Sequence, residues 1–205
     1  MQSEPKTGPG YRHDVDSGLW LPEGAAAEWG YSDGEQVERA LLEAVLACGD
    51  RSVLSPELAA RIVDWPTRYY FSARRANLLR PFAGLLGGRV LEIGAGCGAI
   101  TRYLGETAAE VVALEPAAAR ARVAAARCSD LAGVRVVVDD LESYAARGER
   151  FDAVTLIGVL EYAHRFCDRS DAAAHWLRLA RGLLRPGGVL LLAIENKLGL
   201  KYFAG

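Results

Sequence analysis

The chain lacks the residue patterns that mark several function classes. It has only 4 cysteines in 205 residues, and Cys48, Cys97, Cys128 and Cys167 lie far apart with no CxxC pair. Without a secretory context, such cysteines are expected to be reduced and buried rather than disulfide-bonded. Histidines number 3, and no His, Asp or Glu cluster shows metal-ligand spacing, so no metal is expected. There is no basic excess: 24 Lys and Arg face 26 Asp and Glu, for a net charge of −2. That balance, with no basic stripe interleaved with aromatics, argues against a nucleic-acid partner. The longest apolar runs, such as GVLLLAI at 188–194, fall far short of the roughly 18 residues of a spanning helix. The N-terminal MQSEPKTGPGYRHDVDSG has no apolar signal-peptide region. Together these absences point to a cytoplasmic chain without a membrane span.

What is present is enough for a sizeable core. The hydrophobic fraction is 51%, which excludes a wholly disordered chain. Residues 1–32 are rich in Gly, Pro, Ser and charge and read as a loose arm with docking aromatics Trp20 and Trp29. Residues 33–88 read as a helical cap. A helix over 33–48 is expected from Val37, Leu41, Leu42, Val45 and Leu46, with Ser32 or Asp33 capping and Glu35 in a capping box. A second begins at Ser55-Pro56 and runs to about Val63, and a third covers about 66–80.

The pattern changes at residue 89. RVLEI (89–93), EVVALE (110–115), VRVVV (134–138), FDAVTLIGV (151–159) and VLLLAIE (189–195) are short apolar runs without alternation. Between them lie helical stretches starting near Gly98, at 116–128 and at 171–184, the last stopping before Pro186-Gly187-Gly188. Such runs between helices predict a parallel sheet covered on both faces, an α/β doubly wound domain over 89–205.

The segment VLEIGAGCGAITRYLGE (90–106) carries the chemistry. It is a strand, a glycine turn and a helix. Gly94, Gly96 and Gly98 allow close backbone approach, and the helix start offers free N–H groups and a positive dipole end. Glu115 closes the next strand, where a carboxylate accepts hydrogen bonds from ribose hydroxyls. Dinucleotide binders use GxGxxG; here the glycines read GxGxG, with Glu92 two residues earlier. A carboxylate there repels pyrophosphate but suits a ligand with an amino-acid cation.

These residues resemble the class I S-adenosylmethionine-dependent methyltransferases. That family's first motif is an apolar residue, Glu or Asp, any residue, then GxGxG, and Leu91-Glu92-Ile93-Gly94-Ala95-Gly96-Cys97-Gly98 matches it throughout. Further matches follow in order. Glu115 corresponds to the ribose-binding acid, Asp139, Asp140 and Leu141 to the adenine-side segment, and Ile157 and Gly158 fall in the fourth motif. LRPGGVLLLAIEN (184–196) resembles the approach to the family's fifth strand. The resemblance covers about 89–200 and implies a Rossmann-like methyltransferase fold with S-adenosyl-L-methionine as cofactor. A narrower likeness of WPTRYYFSARRANLLRP and AIENKLGLKYFAG to a bacterial subgroup of cell-surface polysaccharide biosynthesis implies a sugar hydroxyl, nucleotide sugar or other small molecule as acceptor.

A hydroxyl acceptor must lose a proton, so a base is sought near the strand ends. The candidates are Glu161, Tyr162 and His164 after the fourth expected strand, and Glu195 and Asn196 after the fifth. Each also fits a structural role as cap, ion-pair partner or solvated side chain. Tyr69 and Tyr70 fit either an active-site lid or core packing. Arg74, Arg75 and Arg80 read as a solvated face or as contacts to a phosphorylated substrate, and His175 and Trp176 as core or surface of a covering helix. No NPPY-type sequence follows the fourth strand, which argues against amino-group methylation by that route. The family fold has seven strands, whereas five are legible here. The chain therefore reads as truncated after strand five, with that strand an exposed apolar edge for a partner chain or fused domain to cover. Methyl transfer and a non-enzymatic cofactor-binding or scaffolding role both remain open on these grounds.

Overall fold

The computed structural model describes residues 10–23 and 32–195. Trp29, Asn196 and the segment KLGLKYFAG lie outside the described residues.

The expected parallel sheet is present. Strands β3 (Arg89–Ile93), β4 (Glu110–Leu114), β5 (Val134–Val137), β6 (Phe151–Ile157) and β7 (Leu184–Ala193) pair in parallel. Two further strands, β1 (Tyr11–Asp14) and β2 (Leu19–Pro22), extend the sheet to the order β1-β2-β5-β4-β3-β6-β7. The order reverses beside β3, the switch point at which open α/β sheets bind ligands.

β1 and β2 correct the expectation of a loose arm over 1–32. They form an antiparallel hairpin, and β2 joins β5 in parallel through Leu19↔Val136 and Trp20↔Val137. Trp20 docks as expected, but as a strand residue, and Tyr11 and Leu19 are buried with it. Four-residue strands ending at Pro22 carry too little periodicity to stand out from a loop.

Helices α4 (Ala99–Thr107) and α5 (Ala118–Arg127) contribute to a core on one sheet face. Helices α6 (Leu141–Ala145), α7 (Ala163–Phe166) and α8 (Ala172–Gly182) cover the other. Central strand residues such as Val90, Leu91, Val112 and Val154 are fully buried. Each such side chain contributes on the order of 1.5–3 kcal/mol by leaving water. A third cluster joins the helical segment to the sheet domain: α1 (Glu35–Leu46), α2 (Pro56–Ala60) and α3 (Trp65–Phe71) pack Leu41, Val45, Leu58 and Phe71 against Val123 of α5.

Several expected element ends shift. Neither Ser32 nor Asp33 caps α1. Gly34 takes the cap position, and the carboxylate of Glu38, not Glu35, accepts from the Ser32 hydroxyl and the Asp33 amide. Ser55 caps α2 as expected, but α2 ends at Ala60. The third expected helix stops at Phe71, because Ser72 turns extended, and two 3₁₀ segments follow. β7 begins at Leu184, so Pro186-Gly187-Gly188 lies inside it, at a register irregularity against Phe151 and Ala153. Pro is tolerated there because β7 is an edge strand among the described residues.

Candidate functional site

A cavity of about 830 Å³ opens at the C-terminal ends of the parallel strands. Of the expected cofactor residues, Glu92, Gly94, Ala95, Gly96, Glu115, Asp139, Asp140, Leu141, Ile157 and Gly158 line it. Cys97 and Gly98 do not. Cys97 is fully buried in the cluster with Tyr70 and Val123. Gly98 starts α4 at φ +81°, and a Cβ there would lie 2.7 Å from the Ala124 Cα of α5. Both residues therefore fit the turn against neighbouring elements. Gly94 has a similar constraint at the cavity itself, with φ +76° and the Val159 side chain against a built Cβ.

Two buried carboxyl groups flank the turn. Glu92 is 4% exposed, and its hydrogen-bond partner among the described residues is the Thr101 hydroxyl, which donates at 2.6 Å. Burial, reinforced by the Glu115 charge, pushes its pKa up to about 8 against the pull of Thr101 and Arg75. Glu115 is 3% exposed and accepts from the Gly96 amide at 2.7 Å and the Ala117 amide at 3.1 Å. Burial raises its pKa despite these amides and the Arg120 guanidinium 3.9 Å away. A carboxylate has about four lone-pair sites, so two remain for ligand hydroxyls.

Asp139 and Asp140 diverge in their contacts. Asp139 accepts from the Tyr11 hydroxyl at 2.5 Å and pairs with Arg147 at 3.5 Å. Asp140 caps α6, accepting from the amide and hydroxyl of Ser143 at 2.9 and 2.8 Å.

The helical segment supplies the facing wall. Tyr70 is buried, and its hydroxyl donates to Asp33 at 2.5 Å and accepts from Arg120 at 3.2 Å. Arg120 also pairs with Asp33 at 3.4 Å, so α1's approach, α3 and α5 meet beside Glu115. Tyr69 lines the cavity, its hydroxyl 3.9 Å from a Cβ built on Gly158. Arg75 corrects the solvated-face expectation. It lines the cavity, donates to the Tyr69 hydroxyl at 3.1 Å, and its Nε is buried without a hydrogen-bond partner.

Of the expected catalytic candidates, Glu161, Tyr162 and Glu195 line the cavity. His164 is exposed on α7 and is not among the lining residues. Glu161 Oε1 and Tyr69 Oη both lie 3.9 Å from the Cβ position at Gly158 and so flank one spot. Trp176 is buried in the core and also lines the cavity. Arg120, Asp33 and Trp65 were not expected there, and Arg75 fits the second of its two readings, a contact in the site. Arg and aromatic residues in a helical segment carry no signal of their own until the fold folds them over the strand ends. The four cysteines are free and buried, as expected. No described helix is long and apolar enough to cross a membrane.

A methyltransferase-domain family model matches residues 91–190. Among curated proteins, the ubiquinone biosynthesis O-methyltransferase of Methylobacterium sp. (strain 4-46) is 36% identical over 119 residues, 57% of this chain and 43% of that protein. The enzyme of the same description from Azorhizobium caulinodans is 34% identical over 124 residues, 60% of this chain and 45% of its own length. The chain thus spans less than half the length of these relatives. Among solved structures, a complex of DhpI with SAH matches with a TM-score of 0.53 and 26% identity, over 80% of this chain and 72% of that one. A Pyrococcus horikoshii OT3 protein matches in fold alone, with a TM-score of 0.55 and 18% identity over 85% of this chain and 67% of that one.

Proposed function

We propose that the chain, whose residues 91–190 match a methyltransferase-domain model, is a class I S-adenosylmethionine-dependent methyltransferase that transfers a methyl group from S-adenosylmethionine to a hydroxyl oxygen of a small molecule. The observation that carries this is the pair of buried carboxyl groups, Glu92 and Glu115, at the ends of adjacent parallel strands beside a glycine turn. A buried acid such as Glu92 is costly to ionise unless a cation meets it. The ammonium of an amino-acid ligand is such a cation. Arg75, whose charge acts on Glu92, gives the same end of the cavity a guanidinium for the ligand carboxylate. Glu115 retains lone pairs for the ribose hydroxyls, while Asp139, Asp140, Leu141, Ile157 and Gly158 form the adenine side.

S-adenosylmethionine, when bound, supplies a methyl group already activated by its positive sulfur. The chain's task is therefore alignment, which is a large part of such a rate enhancement. The acceptor oxygen forms the new bond to the methyl carbon as the carbon–sulfur bond breaks, and the electron pair stays on sulfur. The hydroxyl proton goes to Glu161, the carboxylate beside Gly158 and Tyr69. The O-methyltransferase descriptions of the curated relatives support an oxygen acceptor. Phenols and sugar hydroxyls, including nucleotide sugars, are the classes to screen.

The test is methyl transfer from labelled S-adenosylmethionine to such a panel, with Glu161→Gln alongside. Transfer to a hydroxyl acceptor that fails in the variant supports the proposal. Transfer only to amine acceptors overturns it.

A further inference from the structure

Outside the cofactor groups, the fold brings Glu142, Cys167 and His175 together from three separate elements. Glu142 sits in the first turn of α6, Cys167 caps the C-terminal end of α7, and His175 lies on α8. Their ligating atoms all lie within 4.8 Å of one another. Spacings of 25 and 8 residues hide this trio in the sequence, where no metal cluster was expected.

We infer that Glu142, Cys167 and His175 form a binding site for a borderline-soft divalent cation of the zinc class. The donor set is one carboxylate oxygen, one thiol sulfur and one imidazole nitrogen, the three protein ligand types that zinc takes. Hard cations such as magnesium and calcium avoid the sulfur and nitrogen. The spacing fits as well. In a tetrahedron with metal–nitrogen and metal–oxygen bonds of about 2.0–2.1 Å, ligand atoms lie about 3.3–3.4 Å apart. His175 Nε2 and Glu142 Oε1 are 3.4 Å apart.

The surroundings suit a bound ion. Cys167 is buried, whereas the side chains of His175 and Glu142 are 23% and 49% exposed, so the trio has a route for entry. Three protein ligands leave a fourth position for water. An ion there ties the first turn of α6, directly after the Asp139-Asp140 pair, to α7 and α8. Glu142 and Trp176, the neighbour of His175, both line the cofactor cavity. The cation thus becomes a clasp on that wall of the cavity. This inference does not depend on the methyl acceptor or on turnover.

The test uses the full chain, free of any histidine tag, with cobalt(II) as a spectroscopic stand-in for zinc. One equivalent is expected to give tetrahedral d–d absorption and a sulfur-to-cobalt charge-transfer band, both displaced by zinc. Cys167→Ser is expected to lose the charge-transfer band, and His175→Ala to weaken cobalt binding at least about tenfold. His175 is partly exposed, so its variant keeps the fold if that of Cys167 does not; circular dichroism without metal confirms this. Absence of the charge-transfer band in the wild type, or undiminished cobalt affinity in folded His175→Ala, overturns the site and leaves Glu142 and His175 as an ordinary ion pair.

Discussion

The Tyr11 hydroxyl donates to the Asp139 carboxylate at 2.5 Å across 128 positions of sequence. The contact fastens the N-terminal hairpin to the end of β5, at the edge of the cofactor cavity. Tyr11→Phe removes the donor but leaves Asp139 with Arg147 and the Asp140 amide. The expected stability loss is therefore that of one ordinary hydrogen bond, about 1 kcal/mol, read by urea denaturation. A several-fold weaker affinity for S-adenosylhomocysteine is expected with it, because Asp139 is then held by two contacts instead of three.

Gly98 has no room for a side chain. At φ +81°, with the Ala124 Cα 2.7 Å from a built Cβ, Gly98→Ala combines backbone strain with overpacking between α4 and α5. The expected loss is about 2–4 kcal/mol, measured by chemical denaturation. Gly182, where nothing lies within 4 Å of a built Cβ, is the control, and Gly182→Ala is expected to leave stability unchanged or improve it.

Glu92 sets a pH dependence. Its pKa is about 8 in the folded chain, raised by burial from an ordinary value of 4.5. The folded state then holds a proton that the unfolded state releases. Its contribution to stability is full below pH 4.5 and falls as pH rises toward 8. Binding an ammonium beside Glu92 reverses the preference, so S-adenosylhomocysteine binding at neutral pH is expected to release a proton. Calorimetry in buffers of different ionisation enthalpy measures that release, and Glu92→Gln is expected to abolish it.

Glu161 and His164 separate as base candidates. Glu161 lines the cavity and His164 is exposed outside its wall. Glu161→Gln is expected to lower kcat by about 10²–10⁴-fold while leaving product affinity intact. His164→Ala is expected to change neither. Steady-state methyl transfer with parallel product titrations checks both.

The central sheet was legible in the sequence because its strands are apolar on both faces and alternate with helices. Glu92, the glycine turn and Glu115 were legible because each is a chemically unusual residue at a strand end. The hairpin was not, since Tyr11–Asp14 and Leu19–Pro22 bury only one or two residues each. Cys97 fell inside the motif yet is buried in the cluster with Tyr70 and Val123, a packing that the motif's spacing does not encode. Arg75 and Arg120 were hidden for another reason. Their roles depend on which way the helical segment folds over the strands, and no local pattern encodes that. The trio of Glu142, Cys167 and His175 is non-local in the same sense.

The most direct test of the cofactor site is a calorimetric titration of the chain with S-adenosylhomocysteine, with NADH as the control and Glu115→Ala as the variant. The expected result is saturable binding of one equivalent in the micromolar range, no binding of NADH, and loss of affinity in the variant. Binding of NADH in place of S-adenosylhomocysteine, or unchanged affinity in a folded Glu115→Ala chain, would contradict it.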